Sequence, residues 1–147
     1  MLSIRKLFNV GSDKVKLSKF DEKFFKTLSG HEEIAYRKEG KYYTILYDGN
    51  KAGIVGFIPG KNKDTVFAQI VIHPDYRGKQ ILKSAYDLLV KKHKIKILYA
   101  TIKKNNIASS KSHINAGFKK LDEREMKQLR DLDFLENDED RYVKLFK

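Results

Sequence analysis

The sequence predicts a mixed α/β fold on three observations. A two-sided apolar strand runs directly into an amphipathic helix between residues 67 and 89, an aromatic and β-branched hairpin precedes it, and a strand, a short helix and further strands follow. Taken in order, residues 2–7 are a candidate first strand. Leu17, Phe20, Phe24, Phe25 and Leu28 then recur at helical spacing with Ser18 as the expected cap, and a second short helix is expected over 32–37. Residues 42–47 and 51–58 are rich in strand-forming side chains, and Asp48-Gly49-Asn50 between them has the chemistry of a tight turn. A turn at Pro59-Gly60-Lys61-Asn62 leads to the central strand.

In that strand Val66, Phe67, Ala68, Ile70, Val71 and Ile72 put apolar groups on both alternating faces, which suits a strand covered on both sides. Pro74 ends it. Ile81, Leu82, Ala85, Leu88 and Leu89 recur with a helical period, so a helix is expected from near Lys79, closed by the cations of Lys91-Lys92-His93-Lys94. Its first turn has N–H groups without partners inside the helix, at the positive end of the dipole, so the strand-to-helix junction suits an anion. Arg77 and Lys79 add full charges there. Tyr76 and Tyr86 nearby are read as packing residues. Beyond lie a strand over 96–101, a short helix ending at Ala116-Gly117-Phe118, and closing strands over 118–121 and 142–146 that flank a helix over 124–135.

A chain of 147 residues with 41% hydrophobic content suffices for one domain with a sizeable core, expected to span residues 1–147 without repeat or linker. There is no cysteine, hence no disulfide framework and no thiolate nucleophile, and the histidines at 31, 73, 93 and 113 lack metal-ligand spacing, so no metal is expected. Neither a signal peptide nor a bilayer-spanning run is evident, which leads to the expectation of a cytoplasmic protein without membrane association. The net charge of +12 is uneven: residues 1–121 carry 25 Lys+Arg against 10 Asp+Glu, while residues 122–140 carry 3 against 9. A basic body attracts polyanions, nucleic acid and nucleotide phosphates alike.

Arg77-Gly78-Lys79-Gln80-Ile81-Leu82, following Ile72-His73-Pro74, resembles the acetyl-CoA-binding motif of the GNAT superfamily of N-acetyltransferases, Arg/Gln-x-x-Gly-x-Gly/Ala after a strand ending Val-x-Pro. Arg77 fits the first position; Gln80 and Leu82 stand where the family prefers small residues. A second resemblance follows at the right distance. Asn106, Ser109, His113, Gly117 and Phe118 fall on the family's Asn-x-x-Ala-x-x-x-Tyr-x-x-x-Gly-Phe, with histidine in place of tyrosine. The two motifs lie within residues 66–118.

The resemblance implies a GNAT-like mixed, largely antiparallel central sheet of about six to seven strands flanked by about four helices. It also implies transfer of an acetyl group from acetyl-CoA, a co-substrate, to a primary amine of a small molecule or a protein, by a monomer or a homodimer. By the same resemblance the pyrophosphate falls to Arg77, Gly78, Lys79, Gln80, Ile81 and Leu82, and Asn106 touches the cofactor. Backbone groups of Ile70, Val71 and Ile72 serve the pantetheine arm and the acetyl carbonyl.

His113 then stands where a proton donor for the leaving thiolate is expected, although an ordinary helix position explains it equally. Gln69 occupies the strand where some members carry a glutamate base; it could orient the acceptor or a water, or simply be hydrogen-bonded structure. Asp64, Glu39 and the acidic stretch 122–140 are further base candidates. That stretch would also suit a cationic acceptor, but a solvated helix whose carboxylates offset the basic surface is preferred. Two other function classes stay open: a CoA-binding member of the fold without turnover, and, least favoured, a small basic nucleic-acid-binding domain with no recognisable reading motif.

Overall fold

The structure is a computed structural model that describes residues 14–61 and 65–147. Among the described residues seven strands hydrogen-bond in the order β1-β2-β3-β4-β5-β7-β6; β1 with β2, β2 with β3, β5 with β7 and β6 with β7 are antiparallel, and β4 with β5 is parallel. Four helices accompany them, so the mixed, mostly antiparallel architecture is the one expected. The chain folds as two compact units, one reaching to Ile58 and including Gln69–Lys94, the other Pro59–Ala68 with Ile95–Lys147. Each takes half of β4.

In the first unit β1 (Val15–Lys19) pairs with β2 (Lys41–Tyr47), and β2 with β3 (Asn50–Pro59). Asp48 and Gly49 connect β2 to β3 with φ of 50° and 83°, the left-handed pair that matches hairpin twist. The register shifts between Ile45 and Leu46, which leaves Ala52 as an extra residue on β3. The expected helix from Leu17 is instead β1 followed by α1 (Glu22–Thr27). Leu17 pairs opposite Ile45, and the Asp21 carboxylate, not Ser18, accepts the Phe24 N–H at 3.1 Å to cap the helix. The Asp21 N–H itself donates to Thr44 Oγ1 at 2.9 Å, which ends the strand.

The expected helix over 32–37 is only a 3-10 turn, His31–Glu33. Side chains have taken the N–H groups that would extend it: Ala35 donates to Gln69 Oε1 (2.9 Å) and Arg37 to the Tyr42 hydroxyl (2.8 Å). Phe25, Leu28, Ile34 and Ile54 form the core on this side, with Phe20, Phe24, Tyr42 and Val71 packed against it. After β4 (Thr65–Ile72), helix α2 (Ile81–His93) buries Ile81, Ala85, Tyr86, Leu89 and Val90 and packs against β1. Tyr86 is core, as its place beside the apolar stripe suggests; burial pushes its phenol pKa far up.

In the second unit Thr65–Phe67 of β4 run parallel to Ile97–Tyr99 of β5 (Ile97–Lys103), and β5 pairs with β7 (Glu139–Leu145) along its whole length. Helix α3 (Ile107–Asn115) begins at Asn106, whose side chain accepts the Ser109 N–H at 3.1 Å, and ends before Gly117, at φ 99°. The strand expected over 118–121 shrinks to β6 (Lys119–Lys120), and α4 covers Glu123–Asp131. Asp133 at φ 59°, with the Phe134 N–H returning to the Leu129 carbonyl at 2.8 Å, closes that helix earlier than its composition suggests. The candidate strand over 2–7 and Asp64 lie outside the described residues. No helix among the described residues is long and apolar enough to cross a membrane.

Gly53 lets β3 run hard against β4: a Cβ there would overlap the Val71 carbonyl oxygen and lie 3.1 Å from Ile72 Cα, both backbone atoms that cannot step aside. Gly53→Ala should therefore destabilise the fold by about 1–3 kcal/mol, read as a lower urea midpoint at unchanged slope.

Candidate active site

Residues 69–82, from the second half of β4 to the start of α2, belong to the first unit. The His73 N–H donates to the Ala52 carbonyl of β3 at 2.7 Å. Backbone groups of successive strand residues point to opposite edges, so Gln69 and Val71 share His73's direction while Ile70 and Ile72 turn their N–H groups away from β3. The Val71 side chain packs on the core cluster. The Gln69 side-chain oxygen accepts the Ala35 N–H at 2.9 Å, and no carboxylate stands on the strand among residues 65–72.

Past Ile72, His73 Nδ1 accepts the Asp75 N–H at 3.1 Å and Pro74–Tyr76 make one 3-10 turn. Arg77, Gly78, Lys79 and Gln80 follow, all exposed. Gly78 at φ 79° and Gln80 at φ 58° are both left-handed, which delays the helix from Lys79 to Ile81. Gln80 thus adopts the backbone conformation for which glycine is the easy choice, at a strain of about 1–2 kcal/mol. No side chain caps α2, whereas Asp21, Asn106 and Asp122 cap the other three helices. A Cβ on Gly78 would meet nothing within 4 Å, so the approach to this turn is open. Buried Ile81 and half-buried Leu82 anchor the first turn. Lys79 Nζ lies 5.8 Å from the centroid of the Tyr47 ring and Lys14 Nζ 5.9 Å from it, with Tyr76 edge-on to the same ring. The sequence reading missed Tyr47, because a tyrosine near a hairpin tip carries no signal beyond strand propensity.

In the second unit His113 is 2% exposed, edge-on to Phe118 at 5.0 Å between ring centroids. Its Nδ1 lies 2.8 Å from the Ser109 carbonyl oxygen, an acceptor only, so Nδ1 carries the proton. Burial holds the imidazole pKa below its ordinary value, with the Ser109 hydrogen bond acting weakly the other way.

The acidic stretch is largely occupied by structure. Asp122 caps α4, Asp131 pairs with Lys127, Glu139 accepts the Glu136 N–H, and buried Asp140 takes Arg130 at 3.1 Å and Lys120 at 3.3 Å. Glu136 and Asp138 stay exposed, as does Glu39 in the first unit.

The fold is that of a mixed α/β protein in which the central strand runs through a 3-10 turn into a helix whose N-terminus no side chain caps. Residues 4–118 match the family model described as Acetyltransferase (GNAT) family, and the chain belongs to that family. A search of curated protein sequences finds no match. Among solved structures, the fold is similar to that of the Campylobacter jejuni N-acetyltransferase PseH in complex with acetyl coenzyme A, at 15% identity and a TM-score of 0.65 over 90% of this chain and 99% of that one. An acetyl transferase from Salmonella typhimurium, titled as modifying the N-terminal serine of ribosomal protein L7/L12, matches at 15% identity and 0.65 over 93% and 98%. A GNAT-family acetyltransferase from Staphylococcus aureus matches at 14% and 0.65 over 90% and 99%. At these identities the likeness is one of fold.

His113 gives a pH prediction. Its folded pKa is depressed, so its contribution to stability is fully present above the ordinary value of 6.5 and is lost as pH falls through the folded value. The melting temperature should drop from about pH 7.5 to about pH 5.5, less steeply in His113→Gln. His93, also depressed by burial but more exposed, should change the slope less when replaced by Gln.

Proposed function

We propose that the chain, acting in the cytoplasm as one GNAT domain, transfers an acetyl group from acetyl-CoA to a primary amine of its acceptor by direct attack in a ternary complex. The observation that carries this reading is the geometry of residues 70–82: two strand amides turned away from β3, followed by an uncapped 13-residue helix with Arg77 and Lys79 at its entrance. The residues present fit the co-substrate. The first-turn N–H groups of Ile81 and Leu82, with the two cations, bind the pyrophosphate. The Ile70 and Ile72 N–H groups donate to carbonyls of the thioester arm and stabilise charge on the acetyl oxygen as the neutral amine attacks.

The carbon–nitrogen bond forms as the carbon–sulfur bond breaks, the amine's surplus proton leaves to solvent and the thiolate takes one from solvent. Gln69 supports the reaction from behind, by fixing the segment at Ala35. We assign His113 to packing of α3, since its proton points at Ser109. The named activities of the Campylobacter and Salmonella relatives support an amine acceptor.

The same two observations favour a second reading, CoA binding without turnover, since neither Gln69 nor His113 is placed as a base or an acid. Acetyl-CoA at 100 times its dissociation constant should add about 2.7 kcal/mol of stability, seen as a melting shift well above that given by ATP, and Arg77→Ala should weaken acetyl-CoA about tenfold by calorimetry. Thiol release with an amine panel then separates transfer from binding alone. Equal shifts with ATP would overturn both readings and point to a general polyanion surface.

A further inference from the structure

Five lysines converge at the end of α2 that lies away from the candidate active site. Lys91, Lys92 and Lys94 close the helix, Lys19 ends β1 and Lys41 begins β2; all are exposed and all belong to the first unit. Lys19 stands opposite Tyr43, and Lys41 lies two residues before Tyr43 on its strand. These three side chains therefore share one sheet face, with the two lysine Cα atoms about 8 Å apart. The helix end comes down on the same face. The Tyr43 hydroxyl lies 2.7 Å from Nε2 of His93, the last residue of α2, and Lys92 Nζ is 5.5 Å from the centroid of the Tyr43 ring. Phe57, opposite Lys41, sets its ring edge-on to His93 at 4.9 Å. Lys92 and Lys41 are near enough to His93 to join burial, the larger cause, in lowering its pKa.

The helix dipole accounts for Lys91 and Lys92, but not for the two lysines brought in by β1 and β2. Lys94 sits at φ 53°, the left-handed position past a helix end where glycine is the easy choice, so a lysine there adds strain as well as like charge. Gathered like charges repel and destabilise the compact state, a cost that a bound polyanion reverses. Nearby carboxylates are turned elsewhere: Asp21 to Lys51, Glu22 to Lys26 and Asp87 to Lys83. Glu39 acts on Tyr42, which alternates to the opposite face from Tyr43.

We propose that this end of α2, with Lys19 and Lys41 beside it, is a docking surface for the phosphate backbone of a nucleic acid. All five cations are lysines. The ammonium is a compact point charge without the planar fork that pairs with single carboxylates, so the patch reads charge density, not group geometry. Closely spaced phosphates with a condensed counterion layer supply that density, and releasing those counterions drives binding. Helix α2 has 13 residues, which puts the surface roughly 20 Å from the helix N-terminus. Acetyl-CoA and nucleic acid are then bound independently, and the proposal does not rest on the acetyl-transfer reading.

The test is fluorescence anisotropy with a labelled single-stranded RNA, a DNA duplex of equal length and polyglutamate of equal charge, from about 50 to about 200 mM salt. One or both nucleic acids should bind, with a log–log salt slope of about −3.5 for the single strand or about −4.5 for the duplex, and whichever binds identifies the source of the phosphates. Replacing Lys19, Lys92 and Lys94 together by Gln should weaken binding at least tenfold and lower the slope by about two to three. Replacing Lys26, Lys83 and Lys127 by Gln removes the same charge elsewhere and should change little. No binding of either nucleic acid at low salt, polyglutamate binding as tight as theirs, or equal losses in the two triple variants would overturn the proposal. An unchanged acetyl-CoA melting shift in the first triple variant shows that it is folded, so failure of the acetyl-transfer reading is read on a separate measurement.

Discussion

The hydrogen bond from the His73 N–H to the Ala52 carbonyl decides what β4 can do. Once that amide faces β3, strand alternation commits Gln69 and Val71 to the same side and leaves Ile70 and Ile72 facing the other. Gly53 makes the approach of the two strands feasible, and the bulge at Ala52 places the acceptor oxygen. Val71, wedged against Phe25, Leu28, Ile34 and Ile54, resists any slip of the strand, since a one-residue shift would carry it out of that core. A helix-sized core cluster therefore holds two backbone amides in a fixed direction. Side-chain identity at 70 and 72 matters little to that result.

Charge is arranged by the same division of labour. The carboxylates between residues 122 and 140 that bond within the fold do so as caps or ion pairs, and buried Asp140 is doubly met by Arg130 and Lys120. The cations at the entrance to α2, by contrast, stay exposed and make no ion pair within the described residues. Exposed cations are well hydrated and weakly held, so they can turn to an incoming phosphate at little cost; buried ones cannot.

Much of this was legible in the sequence because it rested on local rules. Asp48-Gly49 demanded a tight hairpin, Pro74 ended the central strand, and the stripe from Ile81 to Leu89 could only be a buried helix face. Where the reading slipped, a distant group had intervened. The spacing from Leu17 to Leu28 is helical, but β2 claims Leu17 as a strand residue, and Thr44 sets the boundary at Asp21. Residues 34–37 lose their helix to Gln69 and Tyr42, partners 34 and 5 residues away. His113 stood at the position the motif suggested, yet its tautomer is fixed by a carbonyl one turn back, which spacing does not report.

The departures from the family's glycine pattern are better understood as a matter of energy than of shape. At Gln80 the backbone is left-handed, so the turn that glycine would form has formed without it, at a strain that glycine would avoid. Strain of that kind persists only where neighbouring structure over-determines the conformation. Here buried Ile81 begins the helix on one side and the 3-10 turn after His73 fixes the chain on the other, while Gly78 absorbs the first reversal. The Gln80 side chain is exposed. A residue that by sequence looks like the loss of a glycine turn has instead kept the left-handed backbone of that turn and moved its cost into strain.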